Sequence, residues 1–473
     1  MIKFSSLVIA IVMLLCGCQA NKTADTTSKV DALAKIMIDG KEIDGFDNEK
    51  LSYEITLSNT VLTQPKITAE NSSGNADGIK YKYPETIEGV YMIKYKGVIY
   101  EMNMQYEKAP NDLSNSFYRL TRDKELNIAY FGGSVTSGYG SSSTDKRWAS
   151  LVTQHIKSKF SDANINELNA AIGGTGTAFG AYRAVADMKL ESYKPDLVFI
   201  EFAINDIIDN TEAVDSKKYL ETIIRTVYTY SPNANIVLVF ITSSGSKGED
   251  FGQLKAHREI AEQYNIPCVN VGKALCAEID KYLDMNYVDE KHPEWLKYFI
   301  DTVHPNDAGY AKYASYIINY LDKVFYQGRE VDAIIETKYP EKSVTETLIK
   351  PEMFNAVGKG NIGNFSVSNE GYLRTSTDGS TLTLKFTGNS LKMWCFAGPM
   401  SANVEYSIDG NELKSISMKK DSQNHKIFVF ADNLTDTEHT VKMTFKKNLG
   451  AEVDIRYFLI TGNTEGKDFK FSN

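Results

Sequence analysis

Between residues 120 and 328, short apolar runs rich in β-formers alternate with stretches that are apolar at helical spacing. The runs are Ile128–Phe131, Asn166–Asn169, Leu197–Phe202, Ile236–Ile241 and Cys268–Val271. Between them lie segments such as "RWASLVTQHIKSKF" and "KKYLETIIRTVYTY". Apart from Asn166–Asn169, each run is too apolar to face water, and all are too short to form a core alone. Strands that alternate with amphipathic helices are satisfied by a parallel sheet with helices on both faces. The expected fold of this region is therefore α/β, a parallel sheet with helices on both faces. A last helix follows "HPNDAG", with Tyr310, Ala314, Ile317, Ile318 and Leu321 on one stripe. In open sheets of this kind, chemistry gathers beyond the carboxyl ends of the strands.

The first run ends in "FGGSVTSG", residues 131–138. A glycine-rich turn after a strand has several readings. A Walker loop needs GxxxxGK followed by Ser or Thr, and a dinucleotide fingerprint needs GxGxxG; neither spacing is present. The GxSxG elbow of the α/β-hydrolases lacks its last glycine here. What remains is Ser134 as a nucleophile, or as an ordinary turn serine.

A serine nucleophile must have a base, and His304 in "DTVHPNDAGY" lies just before the last helix of the same region. Asp301 stands three residues before it. In a turn held by Pro305, that spacing can set a carboxylate against one imidazole nitrogen while the other faces the serine. Acyl transfer also needs donors for an oxyanion, and losing one side-chain donor typically costs about 3–4 kcal/mol in rate. Asn205 in "FIEFAINDI" ends another apolar run. Gly174 in "NAAIGGTGT" follows the second, where glycine lets a backbone N–H approach a ligand. With the Ser134 N–H, these make three donors.

Four blocks in this order, "FGGSVTSG", "NAAIGGTGT", "INDI" and "DTVHP", resemble the SGNH hydrolases, also called GDSL esterases. The resemblance covers residues 125 to 328. It implies Ser134 as nucleophile, Ser134, Gly174 and Asn205 as oxyanion hole, His304 as base and Asp301 as its partner. It also implies a flavodoxin-like, three-layer sheet and a two-step acyl transfer with no metal or cofactor. Gly173 is an alternative oxyanion glycine; aligning Asn169 with the block's Asn favours Gly174. One departure stands out: the acid usual before the serine is Gly133 here.

The flanks read differently. Residues 31–110 carry β signals without helical period. Leu51, Tyr53, Ile55 and Leu57 alternate as a half-buried strand must. They resemble the Ig-like and cadherin-like β-sandwiches of bacterial surface proteins. Residues 345–473 return to short alternating strands. Leu382, Leu384 and Phe386 form one, Val404, Tyr406 and Ile408 another, and "VDIRYFLITG" reads as a closing strand. A C-terminal β-sandwich or jelly roll is expected, similar to galactose-binding-like modules. Segment 326–349 reads as a charged connector between it and the hydrolase region, 118–328.

At the start, "MIKFSSLVIAIVMLLCGCQA" has one early cation and an apolar core too short for a comfortable span. Leu15 to Cys18 resemble a bacterial lipobox. That implies a signal peptide over 1–17, lipidation of Cys18, a polar tether over 18–30 and anchoring at a bacterial membrane in the cell envelope. Once Cys16 is removed and Cys18 acylated, Cys268, Cys276 and Cys395 remain, read as free thiols.

Net charge of −9 argues against a nucleic-acid partner, which needs a basic face. No CxxC or His-rich cluster suggests a metal. His292 and Trp295 in "EKHPEWLKYF", with Gly133, are candidate pocket residues. His155 and His257 read as surface residues, Asp206 as a turn former, Trp148 as helix packing and Tyr406 as core. Trp394 is a candidate for facing sugar. The architecture favours O-acetyl esters on carbohydrate as substrate. The alternatives are an esterase for longer acyl chains, lipase- or thioesterase-like, and an inert surface glycan binder.

Overall fold

The computed structural model describes residues 32–471, apart from 58–63, 85–88, 107–112, 247–251, 281–289, 327–330, 346–348, 357–361, 363, 421–423, 447–452 and 463–468. The leader and Cys18 lie outside the described residues. The chain divides into two units, residues 1–112 with 316–328, and residues 113–315 with 329–473.

In the first unit the alternating pattern becomes a β-sandwich. One sheet is formed by Leu33–Ile38, Lys41–Glu42 and Ile67–Asn71. The other is formed by Ser52–Leu57, Val98–Tyr106, Gly89–Tyr95 and Lys80–Lys82. Ile36, Ile55, Ile93 and Met102 meet in one core drawn from both sheets. Tyr53, Ile55 and Leu57 point inward as their alternation requires, with Glu54 exposed between the first two, whereas Leu51 lies before the strand and is exposed.

The second unit opens with the α/β domain. Its strands are β1 (Glu125–Gly132), β2 (Asn164–Asn169), β3 (Leu197–Glu201), β4 (Asn235–Phe240) and β5 (Cys268–Asn270). They pair in parallel in the order β5-β4-β3-β1-β2. This is the flavodoxin-like order expected from the sequence. β3 and β4 are buried along their whole length, as central parallel strands covered on both faces are. On one face Ala129, Phe131, Val198 and Ile200 pack under α3 (Thr177–Asp187), α5 (Ala213–Tyr230) and α6 (Gly252–Gln263). On the other, Tyr130 and Phe199 stack at 5.1 Å, and Trp148 of α2 (Trp148–Lys159) sits edge-on to Tyr130. Trp148 is therefore packing, as expected.

The C-terminal region is a second sandwich of two antiparallel sheets, with Leu384, Met393, Val404 and Phe458 among its core. Tyr406 is buried there, and Asp409 and Gly410 both take positive φ in the turn after it. Val453–Thr461 is not the closing strand that its apolar run suggests. It lies inside one sheet, paired with Pro351–Asn355, Leu373–Thr375 and Ser390–Ala397. A further strand, Phe469–Phe471, closes the other sheet against Ser380–Gly388.

This sandwich is docked on the α/β domain. Phe179 of α3 stacks on Trp394 at 4.5 Å, and Trp394 in turn stacks on His425 at 4.2 Å. Trp394 is thus covered on both faces, though it still borders a cavity beside Phe179 and His425. Lys392 Nζ donates to Tyr219 Oη at 2.9 Å, and Lys426 pairs with Asp209. Part of the connector is pinned as well. Glu221, buried in α5, accepts the Val344 and Thr345 amides and the Ser343 and Thr345 hydroxyls. Tyr339 stacks on Tyr228 at 5.0 Å.

Candidate active site

Parallel register sets the stage. Gly132 of β1 is paired with Glu201 of β3, and Tyr130 with Asn169 of β2. The residues that follow these three strands therefore emerge at one sheet edge. After β1 the chain turns at Gly133 into α1 (Ser134–Ser137). After β3 it enters α4 (Ala203–Ile208), which carries Asn205. After β2 it passes through Gly174, whose φ of +69° is a conformation that glycine adopts without strain.

At this edge Ser134 Oγ lies 2.8 Å from His304 Nε2. His304 Nδ1 lies 2.7 Å from Asp301 Oδ2. The other Asp301 oxygen accepts the Val303 and His304 amides at 2.9 and 2.8 Å. Burial opposes ionisation of Asp301, but these amides and the imidazole outweigh it and hold its pKa below the ordinary value. The three side chains thus form a continuous chain of hydrogen bonds ending on the serine hydroxyl.

Asn205 is buried and donates one amide hydrogen to Thr175 O at 2.7 Å, leaving its second free for another acceptor. A Cβ on Gly133 would stand 2.3 Å from Asn205 Nδ2. In this structure the Asn205 amide fills the space that a side chain at 133 would need. Gly173 lies beside the serine, where a Cβ on it would make an ordinary contact with Ser134 Cβ at 3.4 Å.

Three supports under the site were not foreseen. Arg183 of α3, fully buried, donates to Gly132 O and Ala170 O at 3.0 and 2.6 Å, tying the ends of β1 and β2 together. Burial lowers its pKa to about 10, which leaves it charged at neutral pH. Glu201 accepts the Thr136 hydroxyl at 2.9 Å beneath α1. Burial raises its pKa to about 8, against the hydrogen bonds from Thr136 and Gly133. Asp206 accepts the Thr177 amide at 2.8 Å and its hydroxyl at 2.7 Å, and also the Ser216 hydroxyl. His257 Nε2 lies 2.8 Å from Ser216 Oγ and 3.2 Å from Asp206 Oδ2.

Two expectations change here. His257 is buried, not a surface residue; its polar helix neighbours concealed an inward-facing imidazole. Trp295 is fully buried, stacked on Phe299 at 3.8 Å, and so lines no pocket. It donates its indole N–H to Asp301 O at 2.8 Å and so braces the acid's loop. His292 caps α8 (Pro293–Leu296) by accepting the Glu294 amide. Cys268, Cys276 and Cys395 are thiols rather than disulfides, and the buried Cys276 thiol donates to Thr242 Oγ1 at 3.5 Å. Among the described residues no cluster of three or more His, Cys, Asp or Glu is arranged to hold a metal ion.

From Gly174 a cavity of about 330 Å³ runs toward the C-terminal sandwich. Phe179, Tyr219, Lys392, His425 and Lys426 line it.

A 2-1-3-4-5 parallel sheet that brings Ser, Gly, Asn and His to one edge, in that order along the chain, is the arrangement of an SGNH hydrolase. Residues 130–312 match the GDSL-like Lipase/Acylhydrolase family, and residues 361–462 match the domain described as Carbohydrate esterase 2 N-terminal. The chain thus carries an SGNH/GDSL ester hydrolase domain, followed by a carbohydrate-esterase β-domain that here lies C-terminal to it. A similar solved structure is a two-domain esterase (CEX) active on acetylated mannans, co-crystallised with mannopentaose. It is 25% identical with a TM-score of 0.62, over 75% of this chain and 95% of that one. A second structure of a two-domain esterase (CEX) active on acetylated mannans gives 25% and 0.61, over 74% and 96%. No curated protein matches the chain.

Proposed function

We propose that the chain is a serine esterase that removes O-acetyl groups from carbohydrate. The observation that carries the chemistry is the relay from Asp301 through His304 to Ser134 Oγ, at 2.7 and 2.8 Å. Asp301 keeps the proton on Nδ1, so Nε2 is the free base. As Ser134 Oγ attacks the ester carbonyl, Nε2 takes its proton. The oxyanion is held by the Ser134 and Gly174 amides and the second Asn205 N–H. His304 then gives its proton to the departing sugar oxygen, which leaves as the hydroxyl. Water, deprotonated by the same nitrogen, releases acetate from Ser134.

Support for a carbohydrate substrate is independent of the relay. The β-domain at 361–462 matches a carbohydrate esterase module. The similar two-domain esterase acts on acetylated mannans. The cavity beginning at Gly174 mixes aromatic walls with paired charges of both signs, which suits a neutral, hydroxyl-rich chain.

A chromogenic ester series from acetate to octanoate, together with acetate release from acetylated glycans, tests this. Wild type should prefer acetate. Ser134→Ala should lose at least about 10³-fold in kcat while staying folded. A rate that climbs with acyl length would favour a lipase-like enzyme. Absence of Ser134-dependent turnover on every ester would leave a glycan-binding protein.

The reading places the enzyme outside the cytoplasm, anchored by acyl chains on Cys18, since a thiol after a short apolar leader is where such chains are attached. Partition of the full chain into a detergent phase should be lost in Cys18→Ala. Equal partition of both forms would refute the anchor.

A further inference from the structure

We propose that Tyr139 is the stacking wall for the sugar ring that bears the ester. The inference rests on the glycan reading above and deepens it.

The leaving oxygen of any ester handled here must come within reach of His304 Nε2, because that nitrogen supplies its proton. In an O-acetyl sugar the leaving oxygen belongs to the pyranose itself. The ring is therefore held beside the imidazole, whatever the acyl group does at the oxyanion hole. Tyr139 stands beside that imidazole. Its ring lies 4.6 Å from the His304 ring, edge-on, and is 60% exposed. An exposed phenol ring beside the catalytic base contributes nothing to the core. It offers a sugar what aromatic faces offer: an apolar plane for the C–H face, with a polar tip for a hydroxyl.

The ring is also held in place. The Tyr139 amide donates to Ser134 O at 3.0 Å, and its carbonyl accepts the Tyr310 hydroxyl at 2.7 Å. Gly138 and Gly140 on either side have φ of +94° and +96°. A Cβ on Gly140 would lie 2.5 Å from Pro305 O, so the turn rests directly on the His304–Pro305 loop. Further along, Asp307 accepts the Ser142 amide and hydroxyl and pairs with Lys146, which ties the turn to the start of α9 (Asp307–Tyr326). A ring carried on a turn fixed at both ends loses little freedom when a ligand stacks on it. Ile300, exposed and packed near Gly140, extends the apolar surface.

The test compares full-length wild type, Tyr139→Ala and Tyr139→Phe on three substrates. These are an O-acetylated manno-oligosaccharide, an O-acetylated xylo-oligosaccharide and ethyl acetate, whose alcohol is too small to stack. The readout is kcat/KM on each oligosaccharide divided by kcat/KM on ethyl acetate. Tyr139→Ala should lower that ratio roughly fivefold to tenfold, mainly through KM, and Tyr139→Phe should restore most of it. An unchanged ratio overturns the proposal. So does an equal loss on all three substrates, which would make Tyr139 only a support for His304. If wild type hydrolyses ethyl acetate but neither oligosaccharide, the glycan reading fails first and this inference falls with it.

Discussion

Gly133 and Glu201 lie on either side of the same turn, and each is closely pressed by a neighbour. Gly133 stands where SGNH hydrolases usually have an acid, and here Asn205 Nδ2 occupies the place of its Cβ. Glu201 is buried beneath α1 with one oxygen held by Thr136 and the other without a partner. Its pKa of about 8 lies above its ordinary value of 4.5, so between those values the folded state holds a proton that the unfolded chain has released. The sign follows: this contribution is complete below about pH 4.5 and is lost as pH rises through about 8. Glu201→Gln, which keeps an acceptor for Thr136 and cannot ionise, should flatten the fall in Tm between pH 5 and 8. An unchanged slope would mean that Glu201 does not titrate there. The sequence offered no sign of this, since a Glu closing an apolar run looks like a solvent-facing strand end.

At the scale of elements, the proposed oxyanion hole depends on two short segments that follow different strands. Asp206 fastens them together: it sits on α4 beside Asn205 and accepts both polar groups of Thr177 at the start of α3. Close approach is part of the arrangement, for a Cβ on Gly176 would lie 2.2 Å from Asp206 Oδ1. Ser216 and His257 bring α5 and α6 into the same buried cluster. Removing one member leaves buried polar partners unsatisfied, at about 1–3 kcal/mol. His257→Ala should therefore lower the denaturant midpoint. It should also reduce kcat more than it raises KM, because Asn205 matters most when the oxyanion forms. Full kcat in a destabilised variant would confine His257 to stability. Sequence reading placed Asp206 in a turn and His257 on the surface. Helical spacing tells which residues share a face, but not which polar residue on that face finds buried partners.

Over the whole molecule, the division of labour between sequence and tertiary structure is visible. Apolar periodicity determined the parallel sheet and both sandwiches, because a strand or helix must bury its apolar side whatever its neighbours are. The order of Ser134, Gly174, Asn205 and His304 was legible for a related reason: a parallel sheet delivers strand ends to one edge. The connector was not legible. Its charges suggested a solvated link, yet Glu221 binds two of its amides and two of its hydroxyls. Trp394 likewise looked available to ligand and is enclosed by Phe179 and His425. Local pattern determined which elements form and which residues reach the catalytic edge. Docking between elements decided which carboxylates are buried, which rings are covered and what fills the space beside Gly133. Those outcomes depend on contacts between residues far apart in the chain, and no periodicity encodes the distance between two side chains that meet only once the sheet and its helices have closed.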